Sequence, residues 1–159
     1  MMAQSNFERM IQLSDEVFSS RTDPDQLNVN EDVMDHLQLI HPDTISEYDD
    51  GNGPVCWILC IPTTLELMTQ FIDQKISERE LYELTPLNTS YEAIYLCSAL
   101  LLEEFRGKGI AQNLCLNAIQ RIKKDHEIKD LFFWSFSNEG EKLANKVSEL
   151  TGLPLHKRQ

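Results

Sequence analysis

The chain is poor in positive charge. Its 159 residues carry 14 Lys+Arg against 26 Asp+Glu, a net −12, which argues against nonspecific binding to nucleic acid or to an anionic membrane. Long apolar runs are missing too. The uncharged stretch Ala93–Leu102 is ten residues, whereas a membrane span needs about 20. The N-terminus, Met1-Met2-Ala3-Gln4-Ser5-Asn6, lacks the basic cluster and apolar stretch of a signal peptide, so a cytoplasmic address is expected. Cysteines are few and sit at 56, 60, 97 and 115, with no Cys-x-x-Cys pair. Cys56 and Cys60 fall in one extended segment, on one face but about 13 Å apart, too far for a disulfide. The histidines at 36, 41, 126 and 156 are scattered, so no metal site is expected and the thiols read as buried and reduced. There are no internal repeats. With 42% hydrophobic and 25% charged residues, the composition is that of one globular domain spanning 1–159.

What charge there is lies unevenly. Residues 1–105 hold 4 Lys+Arg against 20 Asp+Glu, net −16, and residues 106–159 hold 10 against 6, net +4. Helical spacing of Phe7, Met10, Ile11, Ser14, Val17 and Phe18 after the capping box Ser5-x-x-Glu8 predicts a helix over 6–19, broken by Asp23-Pro24-Asp25. Asn30 can cap a second helix carrying Val33, Met34, Leu37 and Ile40. The acidic segment 43–53 ends in the turn signal Asp49-Asp50-Gly51-Asn52-Gly53. Val55–Ile61 reads as a buried strand. Thr64 caps a helix with Leu65, Met68, Phe71 and Ile72, and Ser77-x-x-Glu80 caps a short one that stops at Thr85-Pro86. Tyr91–Leu102 reads as a central strand, 109–124 as a helix with Ile110, Leu114, Cys115, Ala118, Ile119 and Ile122 on one side, and 131–136 as a strand. Residues 139–150 read as a helix with Leu143, Val147 and Leu150 inward, and Leu153–Arg158 as a short extended piece. The second half thus alternates strand and helix, which implies a sheet flanked by helices.

Chemistry concentrates in Arg106-Gly107-Lys108-Gly109-Ile110-Ala111, between the strongest strand and the best helix. Two glycines let backbone approach a ligand closely, and the first helical turn presents free N–H groups that attract phosphate. Arg106 and Lys108 add positive charge, and a diphosphate-bearing ligand fits. A Walker loop does not, because Lys108 is followed by Gly109. The dinucleotide fingerprint also fails, because position 112 is Gln.

The segment resembles the Arg/Gln-x-x-Gly-x-Gly/Ala signature of the GNAT superfamily of N-acetyltransferases, with Arg106, Gly109 and Ala111 at its fixed positions. Asn138, Ala144 and Gly152 also sit where that family often has Asn, Ala and Gly, and the likeness spans roughly residues 91–155. It implies an α/β (α+β) fold: a mixed central sheet with splayed strands, flanked by helices, with a truncated C-terminal strand. The helix-rich half 1–90 would form the acceptor side, and residues 91–159 would bind acetyl-CoA as co-substrate. The resemblance places the diphosphate on the amides of Gly107, Lys108, Gly109, Ile110 and Ala111. The pantetheine arm would pair with backbone near Leu101 and Leu102, between strands 91–102 and 131–137, with Asn138 and Arg106 nearby. A backbone N–H at a strand bulge would polarise the thioester carbonyl, a stabilisation of about 3–4 kcal/mol per donor.

For removal of the amine's proton the sequence offers Glu92 and Tyr95, whose odd spacing puts them on opposite faces of the strand. A carboxylate at the Ala93 position, which some family members have, is absent. Where the family often has a tyrosine acid, the register Ala144-x-x-Val147-Ser148 gives Ser148, and Glu103 stands where proline is usual. A missing general acid typically costs 10²–10⁴-fold. The expected activity is therefore acetyl transfer by direct attack of an amine, the acidic front half favouring a small cationic amine or a basic side chain. The alternatives are a non-catalytic acyl-CoA-binding or protein-interaction module on the same fold, and an unrelated α/β nucleotide binder. No last strand is expected after Leu155, which leaves a sheet edge for a second copy to cover as a homodimer.

Overall fold

The computed structural model describes residues 4–19, 31–135 and 137–159, with the side chains of residues 18 and 19 outside that description. Asn30, the 23–25 breaker and Phe136 fall outside it. The fold is mixed α/β. In chain order it runs α1 (Asn6–Ser19), α2 (Glu31–Ile40), β1 (Ile45–Asp49), β2 (Pro54–Thr63), α3 (Leu65–Ile72), α4 (Glu78–Leu84), β3 (Ala93–Leu101), α5 (Ile110–Asp125), β4 (Asp130–Trp134), α6 (Asn138–Thr151) and β5 (Leu155–Arg158). A single 3₁₀ turn, Glu103–Phe105, lies between β3 and α5.

The five strands lie in sequence order, β1-β2-β3-β4-β5. β1–β2 and β2–β3 pair antiparallel, while β3–β4 and β4–β5 pair parallel. Parallel neighbours need a crossover, and α5 and α6 supply the two. β1 comes from the segment read only as acidic and turn-forming. Its burial is confined to Ser46, with Glu47, Tyr48 and Asp49 exposed, so it lacks the apolar alternation that marks a strand. At the other end, the short extended piece is a strand of four residues. Leu155–Arg158 pairs with β4 from Leu131↔Leu155 to Trp134↔Arg158, so this chain covers the β4 edge itself.

Local signals hold where they are strongest. Thr64 Oγ1 accepts from Leu67 N–H at 3.2 Å, and Ser77 and Glu80 form a reciprocal capping box. Apolar spacing overstates burial on the outer helices. Phe7, Ile11, Met34 and Leu150 are exposed, whereas Met10, Leu37 and Val147 are fully buried, because each helix has only one face against the sheet. The four cysteines are free and buried. Among the described residues no helix is long and apolar enough to cross a membrane.

Candidate functional site

β3 and β4 are partners for only three residues, Ala93↔Asp130, Ile94↔Leu131 and Tyr95↔Phe132. Beyond Tyr95 they part. β3 continues to Leu101 paired only to β2, and Phe133 and Trp134 of β4 pair only with β5. The gap becomes a cavity of about 860 Å³, within the usual range of about 300–1,000 Å³ for small-molecule sites. One wall is the open β3 edge from Leu96 to Leu101. The others are the start of α5, residues 133–135, Ser137, Glu139 and Gly140, Leu143 and Ala144 of α6, and Leu13 and Val17 of α1.

A β-bulge shapes the β3 wall. Leu59 pairs with Ser98 and Cys60 with Leu96, so Cys97 is the extra residue. A bulge bends its strand and re-aims the groups around it. Here that happens two residues past the last β3–β4 pair, where the strands diverge.

At the cavity mouth, Gly107 and Gly109 have φ of +79° and +77°, a left-handed backbone that side chains disfavour. Helix α5 begins with the bond from Asn113 N–H to the Gly109 carbonyl at 3.0 Å. Gly109 carries no side-chain cap, so the amides of 110, 111 and 112 stand outside the helical ladder. Arg106, Gly107, Gly109, Ile110 and Ala111 line the cavity. Lys108 lies above the Phe105 ring, its Nζ 5.4 Å from the centroid, within cation–π range. Nothing within 4 Å of Gly107 would meet a Cβ, and only Asn113 Nδ2, at 3.9 Å, lies near Gly109. Their hydrogen side chains thus serve backbone conformation and outward access, not internal packing. An anion such as a diphosphate fits this terminus.

The remaining expected residues separate. Leu101 lines the cavity, but Leu102 is buried and its N–H is taken by the Val55 carbonyl at 3.0 Å. Asn138, the first residue of α6, is exposed and off the cavity wall, while its neighbours Ser137 and Glu139 line it. Ser137 accepts from Gly140 N–H at 3.0 Å as the α6 cap. Glu92 lies just before β3. Its N–H donates to the Thr63 carbonyl and its carbonyl accepts from Lys129, so its backbone ties β2 to the β4 approach. Ser148 donates to the Leu153 carbonyl at 2.6 Å, closing the turn after α6. Tyr95 is fully buried, packed on Phe71 and stacked on Phe132. Glu92, Tyr95 and Ser148 are therefore not brought together, and none of them lines the cavity.

Tyr95 leads instead to a residue that sequence reasoning missed. Its hydroxyl donates to Glu78 Oε2 at 2.5 Å. The Glu78 carboxylate is 1% exposed, in the first turn of α4. The Cys97 thiol, which lines the cavity at the bulge, donates to the same oxygen at 3.9 Å. Sequence gave no signal for Glu78, because an acidic residue after an N-cap is what any helix prefers.

The thiols of Cys60 and Cys115, two further residues of the cavity lining, meet at 3.7 Å. The Cys60 thiol is pushed well up by its hydrogen bond with Cys115 and by burial. Burial, with Cys115 adding to it, pushes the Cys56 thiol up to about 12. Both stay protonated and unreactive at neutral pH. Compared with protein-family models and with curated proteins, the chain matches none.

Proposed function

We propose that the protein is an acetyl-CoA-dependent N-acetyltransferase in which an amine attacks the thioester directly. The observation that carries this reading is the parting of β3 and β4 after Tyr95, with the uncapped, glycine-flanked start of α5 at the mouth of the resulting cavity. The α5 amides and Arg106 suit the diphosphate of coenzyme A. The open β3 edge offers backbone donors and acceptors to the amide-rich arm, and the bulge at Cys97 offers backbone to a thioester carbonyl. The thioester supplies an activated acetyl group, and the chain has to orient it and to receive a proton from the amine. Four free buried thiols suit a reducing, cytoplasmic compartment.

One observation favours a second reading, an acyl-CoA-binding module without turnover. Ser148, the only counterpart of the usual tyrosine acid, is committed to the Leu153 carbonyl and does not reach the cavity. A thiol with a pKa of about 8.5 leaves without strong acid assistance, so transfer remains the preferred reading. Two measurements separate the readings: calorimetric binding of coenzyme A, and release of free thiol from acetyl-CoA with a panel of alkyl diamines, arylamines and lysine peptides. Binding with thiol release supports transfer. Binding without thiol release from any acceptor supports the module. Failure to bind coenzyme A, with tighter binding of ATP, removes both.

A further inference from the structure

Glu78 is the one acid among the described residues that is both almost completely buried and hydrogen-bonded to a residue of the cavity wall. Burying a carboxylate is unfavourable until its partners offset the lost hydration, and a fold that needed only a helix N-terminus would leave this residue in water. The short helix α4 inserts it under the β3 bulge instead. Two donors of β3 converge on its Oε2, the Tyr95 hydroxyl and the Cys97 thiol. The α4 cap, Ser77 with Glu80, fixes the turn that carries it. On the β5 side the Arg158 guanidinium stacks on Phe71 and Trp134 and donates to the Phe71 and Ile76 carbonyls, which ties the segment before Glu78 to the sheet. Arg79 is its neighbour in the first turn of α4.

Resting on the transfer reading above, we infer that Glu78 takes up, through the Cys97 thiol, the proton that a protonated amine must lose before attack. The acceptor's ammonium passes a proton to Cys97 Sγ while the Cys97 S–H proton moves to Glu78. The freed nitrogen lone pair forms the C–N bond to the acetyl carbon and the C–S bond breaks. The second nitrogen proton goes to the departing thiolate, and once the products leave, the proton on Glu78 returns through the Cys97 thiol to the water that refills the cavity. Nothing is oxidised or reduced. Glu78 acts through Cys97 and never touches the acceptor, so it is a positioning residue for the proton. The acceptor class that needs it is the alkylamine, protonated near neutral pH; an arylamine, already unprotonated there, does not.

The test compares 1,4-diaminobutane with 4-aminobenzamide as acceptors. Glu78→Gln keeps the shape and the hydrogen bonds of the site but removes its basicity. The expected result is a fall of about 100-fold in the diamine-to-arylamine ratio of kcat/KM, carried by kcat, with coenzyme A affinity unchanged. Cys97→Ala breaks the relay at its cavity end, leaves the Glu78–Tyr95 pair in place, and should lower the same ratio. It keeps the proposal testable if Glu78→Gln does not fold. Tyr95→Phe removes a donor that favours the ionised carboxylate, so the acid limb of the diamine rate profile should move to higher pH. Equal losses with both acceptors, or an acid limb that stays in place in Tyr95→Phe, overturn the assignment while leaving acetyl transfer standing. A wild-type protein that binds coenzyme A but releases no thiol with these two probes or with any other acceptor of the panel overturns transfer itself and this assignment with it.

Discussion

The two walls of the cavity are built by opposite means. The wall at 106–111 is backbone: left-handed glycines, uncapped amides and one arginine, all within six consecutive residues. The wall at the β3 bulge depends on side chains. It joins Glu78 to Tyr95 and Cys97, 17 and 19 positions away, on a helix inserted between β2 and β3. A backbone site tolerates neighbouring changes as long as φ is preserved. A side-chain site exists only while packing holds its members together, so the two should respond differently to substitution.

The sharpest way to break that contrast is Phe71→Ala. Phe71 is fully buried, with the Tyr95, Phe132 and Trp134 rings at 5.0, 5.8 and 6.1 Å and the Arg158 guanidinium at 4.7 Å. Truncation should cost about 3–5 kcal/mol of stability in denaturant unfolding; a loss below about 1 kcal/mol would mean that the bulge wall does not hang on this cluster. Gly109→Asp comes next. It puts a side chain and a negative charge where the diphosphate is proposed to sit, and should weaken coenzyme A binding more than 100-fold while the fold persists. Gly109→Ala meets only Asn113 Nδ2 at an ordinary contact distance of 3.9 Å and a φ of +77°, so its cost should stay at about 1 kcal/mol. Equal effects of Asp and Ala on affinity would argue for a plain turn there.

Smaller effects sharpen the comparison. Ser77→Ala removes half of the α4 capping box and should cost about 1 kcal/mol of stability, with coenzyme A affinity unchanged because the loop wall is independent of α4. The smallest effect concerns pH. His126 has its pKa lowered by burial and by His41, with Asp125 opposing. Its Nδ1 accepts from Tyr91 N–H at 3.3 Å, a bond that protonation removes. An unfolded histidine takes up a proton near 6.5. Below that pH the unfolded state binds a proton that the folded state refuses, so this stability is present above about 6.5 and fades as pH falls towards the lowered folded value. His126→Gln should flatten that part of the stability profile by a small but measurable amount; an unchanged slope would assign it to other groups.

Legibility followed range. The α3 and α4 caps, the buried β2 and β3 segments and the 106–111 loop could be read because each signal lies within a few residues of the structure it causes. β1 could not, because an acidic edge strand is recognisable only by the partner it finds in β2. Exposure of Ile11 and Leu150 was hidden for a related reason: spacing shows that a stripe exists, while the number of faces covered depends on neighbours. The sequence offers Tyr95 as a base, yet its surroundings make it a donor to a carboxylate that composition alone would leave on the surface.

What the sequence determined by itself is the local order of helices and strands, the capped starts of α3 and α4, and a glycine-rich turn able to present amides. Backbone preferences and caps act over one helical turn, and such statements need no knowledge of the rest of the chain. Only the tertiary structure decided that β3 and β4 part after Tyr95, that Leu155–Arg158 closes the β4 edge, and that Glu78 lies under the bulge. Those outcomes depend on contacts between residues far apart in sequence, where packing outweighs local preference.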